Sequence, residues 1–362
     1  MNARGAALAA VLLVGVAAGS SAGTPARAGP LPEAAILVGR GAAETRLTVL
    51  GTTDAAVFQP ALEAFVAANS GIAVRYEQWG SNDLFALGRA MCRGEMPAVD
   101  LMVNSAADQQ VKLVNDGCAR PHAPAEAPGA GDGWRNELFG VTREPAVIVY
   151  NRELVPAAEA PRSRFDLIDL LRPADSRYAG RVATYDIEDS GVGYLFAFAD
   201  SQAATTFGGL LEAFGRSGAV ATCCSAEIID AVAEGRYLIA YNVLGSYALA
   251  RAAVDPRIGV VAPEDYTLVL SRPAMIPKGA PHPEAAGMLI DFLLLEPGRA
   301  ALARTYLYIR QDPKDPVLAD LPAAEDSVYR PIRLGPALLL GLDAQKRARF
   351  LDLWRGVFGP AD

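Results

Sequence analysis

The sequence predicts an α/β fold in two lobes, and three observations carry that prediction. Apolar runs of strand length repeatedly hand over, through a short polar turn, to stretches whose apolar residues fall at helical spacing, from Arg46 to Arg251. At 362 residues and 51% hydrophobic content the chain can bury more than one small core. The apolar segment 146–151 has no amphipathic helix before it, and 267–276 returns late in the chain; both are read as strands crossing between lobes. Each lobe is expected to be a mostly parallel sheet flanked by helices, because strand–turn–helix units produce parallel strands.

The chain opens with Arg4 as a short positive region and an apolar run from Ala6 to Ala18, followed by Ala26-Arg27-Ala28, an A-x-A pattern. Residues 1–28 are therefore expected to be a cleaved export signal, which makes the mature protein an exported one. No cysteine lies near the cut, so no lipid anchor is expected, and no later stretch approaches the length of an apolar membrane span. Residues 29–45, rich in Pro, Ala and Gly, are read as a loose lead-in.

The first unit is the clearest. Leu47, Val49 and Leu50 read as a buried strand that ends at Gly51; Thr52, Thr53 and Asp54 supply helix N-cap chemistry; Phe58, Leu62, Phe65 and Val66 lie on one helix face. Such a turn presents backbone N–H groups and about half a positive charge, a ready site for an anion or polar ligand. Ile72 to Gln78 then alternates as a strand, Trp79-Gly80-Ser81 turns, and Leu84, Leu87 and Met91 mark a helix. Val99 to Val103, Asn104-Ser105 and a helix through Val111 and Val114 make the third unit. Right-handed crossovers place all three turns on one edge of the sheet. Residues 119–133 form an irregular connection, Ala146 to Asn151 the crossing strand, and Phe165 to Leu171 a short helix.

A second series starts at Arg181 to Tyr185. Its turn, Asp186 to Tyr194, is the most glycine-rich, and Ser190, Gly191, Gly193 and Tyr194 are candidates for close backbone approach to a ligand. Val220 to Cys223 leads through Cys224 and Ser225 into a helix, and Leu238 to Tyr241 leads through Asn242, Gly245, Ser246 and Tyr247 into another. Strands at 258–261 and 267–276, helices at 283–295 and 298–306, and a final helix whose Phe350, Leu351, Leu353, Trp354 and Phe358 pack on a lobe complete the chain.

A formal charge of −8 excludes the basic face that nucleic acid requires, and Lys346, Arg347 and Arg349 alternate with Asp343 and Asp352 as a solvated helix face. Cys92 and Cys118 can meet across a layer, where export permits a disulfide. Cys223 and Cys224 are read as two buried thiols at a strand end, with a vicinal disulfide as the alternative. His122 and His282 sit in Pro-flanked loops and are read as surface residues; without a G-x-S-x-G elbow or a His/Cys cluster, neither enzyme nor metal centre is expected.

The export signal, GTTD at Gly51 to Asp54, Asp100-Leu101 running to Asn104-Ser105, the crossing that ends Val149-Tyr150-Asn151, YNVLGSYA at Tyr241 to Ala248 and PKGAPHPEAAGMLIDFLL at Pro277 to Leu294 occur in this order. Together they resemble the periplasmic solute-binding proteins of ABC transporters, in the cluster of ferric-iron, thiamine, phosphonate and phosphoglycerate binders, nearest the phosphoglycerate branch. The resemblance implies the two-lobed type II periplasmic-binding fold, joined by hinge strands that close on a ligand. The lobes are expected at 46–143 with about 268–310, and at 144–267, with 311–362 as a tail.

It further implies a monomeric receptor that captures a small organic anion bearing phosphate, phosphonate or carboxylate, needs no cofactor, and delivers the ligand to an ABC permease. A sensor that feeds a two-component kinase, a ferric-ion binder and an exported enzyme are the alternatives. Ferric members use adjacent tyrosines near Ser246-Tyr247, where this chain has only Tyr247, with Tyr185, Tyr194 and Tyr266 as further tyrosines. The expected ligand contacts are Thr52, Thr53, Asp54, Ser81, Asn104 and Ser105 from the first series, Glu144 on the crossing strand, and Tyr185, Ser190, Gly191, Gly193, Tyr194, Asn242, Ser246 and Tyr247 from the second. Trp79 and Tyr266 are aromatic lid candidates. Glu144 and the acidic 186–189 turn would repel an anion unless they hold an amine on a zwitterionic ligand or face water.

Overall fold

The computed structural model describes residues 31–40, 43–129, 131–203, 205–309 and 329–359. The expected export signal, 1–28, lies outside them.

Two sheets form, each flanked by helices. The first runs Ala34–Val38, Ile72–Gln78, Thr45–Gly51, Leu101–Val103, Pro273–Pro277, Leu138–Gly140 and Gly133–Trp134, with Ala119–Arg120 also pairing on Pro273–Pro277. Thr45–Gly51 lies parallel to both of its neighbours, as strand–turn–helix units require. The remaining pairs are antiparallel, so the expectation of a mostly parallel sheet holds only for this central run. The second sheet runs Val220–Thr222, Val182–Tyr185, Ile239–Leu244, Glu144–Asn151, Thr267–Leu270 and Tyr329–Pro331, with Ile258–Val261 paired on Glu144–Asn151. Here too the strand–turn–helix members are parallel, while Glu144–Asn151 runs against three neighbours. The reversal has a simple cause. A strand that arrives from the other sheet enters at the end where the local strands finish.

Two crossings join the sheets. The first passes from Leu138–Gly140 through 141–143 into Glu144–Asn151. The second corrects the reading of 267–276 as one strand: Thr267–Leu270 belongs to the second sheet, Pro273–Pro277 to the first, and Ser271-Arg272 spans the gap. The crossings are stitched together, Val141 N donating to Arg272 O at 2.9 Å, Arg272 N to Thr142 Oγ1 at 2.8 Å and Ser271 Oγ to Thr142 O at 2.6 Å.

The lead-in is not loose throughout. Ala34–Val38 pairs along Ile72–Gln78, with its alternate residues Ala34, Ile36 and Val38 turned inward and Ala35 and Leu37 outward. The tail likewise adds a strand, Tyr329–Pro331, parallel to Thr267–Leu270. Its final helix, Ala344–Phe358, is capped by Asp343 Oδ1, which accepts from Lys346 N at 3.0 Å, a contribution of about 1 kcal/mol. Phe350 packs on Tyr194, Phe198 and Phe207, and Trp354 is buried, whereas Leu353, expected to pack, is exposed.

One apolar cluster sits on the outer side of the first sheet, around Phe58, Leu62, Phe65 and Leu289, and another on the second, around Leu167, Leu210, Phe214 and Trp354. A third is continuous between the halves and includes Leu50, Leu84 and Val111 from one and Val147, Tyr185 and Val243 from the other. Each fully buried Leu or Val in these clusters contributes about 1.5–3 kcal/mol.

Cys92 and Cys118 are disulfide-bonded, tying the end of the helix Ser81–Cys92 to the strand Ala119–Arg120. Cys223 and Cys224 are bonded to each other and Cys224 is exposed, which corrects the reading of two buried thiols. The two histidines carry carboxylate partners, His122 Nε2 lying 2.9 Å from Asp291 Oδ1 and His282 Nδ1 3.1 Å from Asp100 Oδ1.

Candidate functional site

The helix-starting turns of the first sheet meet those of the second directly. Gly51 ends its strand so close to Tyr76 that a Cβ would lie 2.5 Å from the phenol oxygen. Tyr76 Oη in turn accepts from Thr53 N at 3.2 Å and donates to Thr53 O at 2.6 Å. Asp54 N donates to Tyr247 Oη at 3.1 Å, and Tyr247 Oη donates to Asp54 Oδ1 at 2.9 Å. Ala55 N donates to Gln78 Oε1 at 2.9 Å. The N–H groups expected to stand unpaired here therefore have protein partners, and Tyr247, which holds that of Asp54, comes from the second sheet's side. Burial, with the adjacent Asp54 carboxylate adding to it, pushes the Tyr247 phenol well above its ordinary range, so it stays a donor.

A second contact lies at Ser81. Ser81 Oγ accepts from Gly191 N at 2.8 Å, and Asn82 Nδ2 donates to Glu188 O and Asp189 O, each at 2.9 Å. Gln109 Nε2 steadies Asn82 by donating to its Oδ1 at 2.8 Å. A Cβ on Gly191 would lie 2.6 Å from Gln109 Nε2 and 2.8 Å from Ser81 Oγ, so any side chain there would have to displace both. Glu188 turns outward to pair with Arg355, which removes it from any cleft ligand.

Between these contacts lies a buried charge pair. Arg272 and Glu144 are both fully buried, with Arg272 Nε donating to Glu144 Oε1 at 2.8 Å and Nη2 to Oε2 at 3.1 Å. Thr142 Oγ1 donates to Glu144 Oε1 at 2.8 Å and Ser246 Oγ to Oε2 at 2.5 Å. The third guanidinium nitrogen, Nη1, reaches across to Thr52 Oγ1 at 3.4 Å. Thr52 Oγ1 also accepts from Ser105 N at 2.8 Å and donates to Ser105 Oγ at 3.1 Å. Burial works against the guanidinium charge, but Glu144 outweighs it and the group is held above its ordinary range, permanently cationic. The repulsion expected from Glu144 is thus neutralised within the protein.

Of the sequence-predicted residues, Thr52, Thr53, Asp54, Ser81, Ser105, Glu144, Gly191, Ser246 and Tyr247 come together at this junction. Asn104 supports it from behind, its Oδ1 accepting from Ala106 N at 2.9 Å. Ser190 caps its own helix by accepting from Gly193 N at 3.1 Å, and a Cβ on Gly193 would lie 2.4 Å from that of Tyr185. Tyr185 is buried beneath, bonded to Ser225 Oγ and accepting from Leu244 N at 3.1 Å; burial lifts its phenol to about 12. Trp79 is buried in the core shared by the two halves.

Three expected contacts turn elsewhere. Tyr194 lies past the start of its helix and donates to Gly341 O at 2.5 Å under the guanidinium of Arg347. Asn242 sits at a register irregularity with φ 63°, and its Nδ2 donates to Asp200 Oδ2 at 3.3 Å. Tyr266 donates to Asp200 Oδ1 at 2.7 Å beneath Arg164, inside the second sheet's layer. Conversely, sequence reasoning passed over Arg272, Asn82 and Gln109. For Arg272 the available signal was a lone basic residue in the mostly apolar run 267–276.

Residues 61–313 match the family described as bacterial extracellular solute-binding protein. The substrate-binding protein of an ABC transporter from Agrobacterium tumefaciens is 30% identical, with a TM-score of 0.81 over 91% of this chain and 99% of that one. Iron-bound HitA from Pseudomonas aeruginosa (19% identity, TM-score 0.65, 86% and 99% covered) shares the fold. So does AfuA from Actinobacillus pleuropneumoniae with fructose-6-phosphate bound (17%, 0.64, 88% and 100%). No curated protein matches the chain. With its two helix-flanked sheets, joined by crossing strands and meeting turn to turn, the chain belongs to the bacterial extracellular solute-binding protein family.

Proposed function

We propose that this protein is the periplasmic solute-binding component of an ABC transporter and that it captures a small organic anion carrying an amine or hydroxyl between its two halves. Membership in the family supports an exported binding protein rather than a catalyst, and among the described residues no helix is long and apolar enough to cross a membrane. The observation that carries the ligand class is Arg272: a buried, permanently cationic group on a crossing segment, in reach of the Thr52 hydroxyl, which bonds that of Ser105, and sharing Glu144 with the hydroxyl of Ser246. Two of its nitrogens are committed to Glu144; Nη1 makes only a long contact and is the donor free to take phosphate or carboxylate. Asp54, 2.9 Å from Tyr247 Oη, supplies an acceptor for a donor on the same ligand.

The contacts at Asp54–Tyr247, Ser81–Gly191 and Asn82–Asp189 cross from one half to the other, so movement about 141–143 and 271–272 separates them together. Opening releases the amides of Asp54 and Gly191, both at helix starts, to a ligand. A thermal-shift panel of phosphorylated metabolites, phosphonates, amino acids, carboxylates and ferric citrate tests the reading. At about a hundred times its dissociation constant the right solute adds roughly 2.7 kcal/mol of stability. A response to ferric salts alone, undiminished in an Arg272 variant, rejects the organic-anion reading.

A further inference from the structure

The tail changes sides twice. Tyr329–Pro331 pairs with Thr267–Leu270 of the second sheet, and Ile332 N donates to Val269 O at 2.9 Å. Just beyond, Leu334 N donates at 2.8 Å to Gly131 O, which leads into Gly133–Trp134 of the first sheet. The short helical turns Pro336–Leu338 and Leu339–Leu342 then pack on Ala107–Asn115, a helix of the first half. Gly341 O accepts from Tyr194 Oη of the second half at 2.5 Å, and Ala344–Phe358 stays on that half, with Phe350 on Tyr194 and Phe207 and Arg355 paired to Glu188. Ile332 and Leu334 are buried in the apolar cluster that is continuous between the halves, and Leu338 and Leu339 pack against it.

We infer that residues 332–358 are a strap that holds the two halves together from outside the cleft, fastened to the second half at both ends and laid on the first in its middle. The helix beneath that middle carries Gln109, which steadies Asn82 at the closure contact. Movement about 141–143 and 271–272 that parts Ser81 from Gly191 also draws Ala107–Asn115 away from Gly191–Ala203, on which it packs. The strap's middle cannot follow both helices, so the apolar contacts of Leu338 and Leu339 count toward the closed arrangement alone. This role rests on the hinge closure proposed above and deepens it. A ligand captured by closure binds more tightly the more of the closed form is already populated, and the strap raises that population without touching the ligand.

Amide hydrogen exchange of the full chain without ligand tests this. Gly191 N has its partner, Ser81 Oγ, on the other half, whereas Gly193 N bonds Ser190 Oγ within its own. Leu338→Ala with Leu339→Ala should speed exchange at Gly191 about tenfold and leave Gly193 unchanged. Small-angle scattering should then give a larger radius of gyration. Leu338→Met with Leu339→Met, which keeps the apolar contact, should restore both values. Circular dichroism verifies that each variant is folded, and Tyr247→Phe, which cuts a closure contact inside the cleft, is the reference. Wild-type exchange at Gly191 in the alanine variant, equal acceleration at Gly193, or no recovery with methionine overturns the strap. If Tyr247→Phe speeds Gly191 exchange and the alanine variant does not, only the strap falls; if neither does, the hinge closure falls with it.

Discussion

Arg272 and Glu144, 128 positions apart in the chain, close a two-point hydrogen-bonded pair at the crossing between the two sheets, and neither side chain reaches solvent. Such a pair is costly to break from one side, because the surviving charge stays buried without compensation. Its net worth against an apolar pair of similar volume is small. The two facts together separate the roles of Arg272 in folding and in binding.

Arg272→Met alone is expected to lower unfolding stability by about 3–5 kcal/mol, as measured by urea denaturation. Arg272→Met with Glu144→Leu should recover most of that loss, yet the recovered protein should not respond to the anionic ligand. A double variant that still binds would assign the anion to another group.

The Asp54–Tyr247 contact is a different kind of link, since one phenol oxygen serves both the amide and the carboxylate of Asp54. Tyr247→Phe removes both hydrogen bonds and keeps the ring. Ligand affinity should fall by about 1.5–3 kcal/mol, the worth of a hydrogen bond to a charged group. Small-angle scattering without ligand should show a larger radius of gyration than the wild type. Equal radii would mean that this contact does not hold the halves together.

At Gly191 the constraint is space. A methyl group there would meet Gln109 Nε2 and Ser81 Oγ well inside contact distance, and these atoms come from the other half. Gly191→Ala should therefore disfavour the closed arrangement while each half stays folded, weakening ligand binding about tenfold or more. Adding Ser81→Ala and Gln109→Ala should restore part of the affinity if crowding is the cause.

The sequence showed where the turns are better than which way their side chains point. Strand–turn–helix units have a periodic signature, so Thr52, Ser81, Ser105, Gly191 and Ser246 were found from it, and all of them lie at the junction. Tyr194 is grouped with them by its place in the glycine-rich turn, Asn242 by the family resemblance and Tyr266 as an aromatic lid candidate. One further turn of helix carries Tyr194 toward Gly341, and the left-handed backbone at Asn242 swings its side chain to Asp200. Arg272 has no periodic neighbour to announce it, and its partner Glu144 lies on the other crossing strand, a relation visible only in three dimensions. Ala34–Val38 was hidden by composition, since Ala, Pro and Gly around it suppress the alternation that its pairing with Ile72–Gln78 exploits.

The two disulfides should contribute unequally. Cys92–Cys118 spans 26 positions and restricts the unfolded chain by about 3.5 kcal/mol, whereas Cys223–Cys224 joins neighbours and closes almost no loop. Replacing the first pair by Ala should lower stability by about that amount in urea unfolding, and replacing the second should change it by less than about 1 kcal/mol. A large loss from the second pair would point to a local role of the bond in the turn that starts the helix Ser225–Ala233.

Asp108 should give the protein a pH dependence of its own. Burial raises its carboxyl from an ordinary 3.8 to about 7, with the backbone amide of Gln109 and the charge of Arg347 opposing. Between those two values the unfolded chain has lost this proton while the folded chain still holds it, so the folded state binds more protons and stability falls as pH rises. Below the unfolded value the stabilising contribution is fully present; above about 7 both states are ionised and the loss is complete. Other groups titrate across the same range, so the informative quantity is wild type minus Asp108→Asn. That difference, from urea unfolding at a series of pH values, should decline from pH 4 to pH 7 and then level off. A flat difference would mean that Asp108 ionises in the folded protein as freely as in the unfolded one.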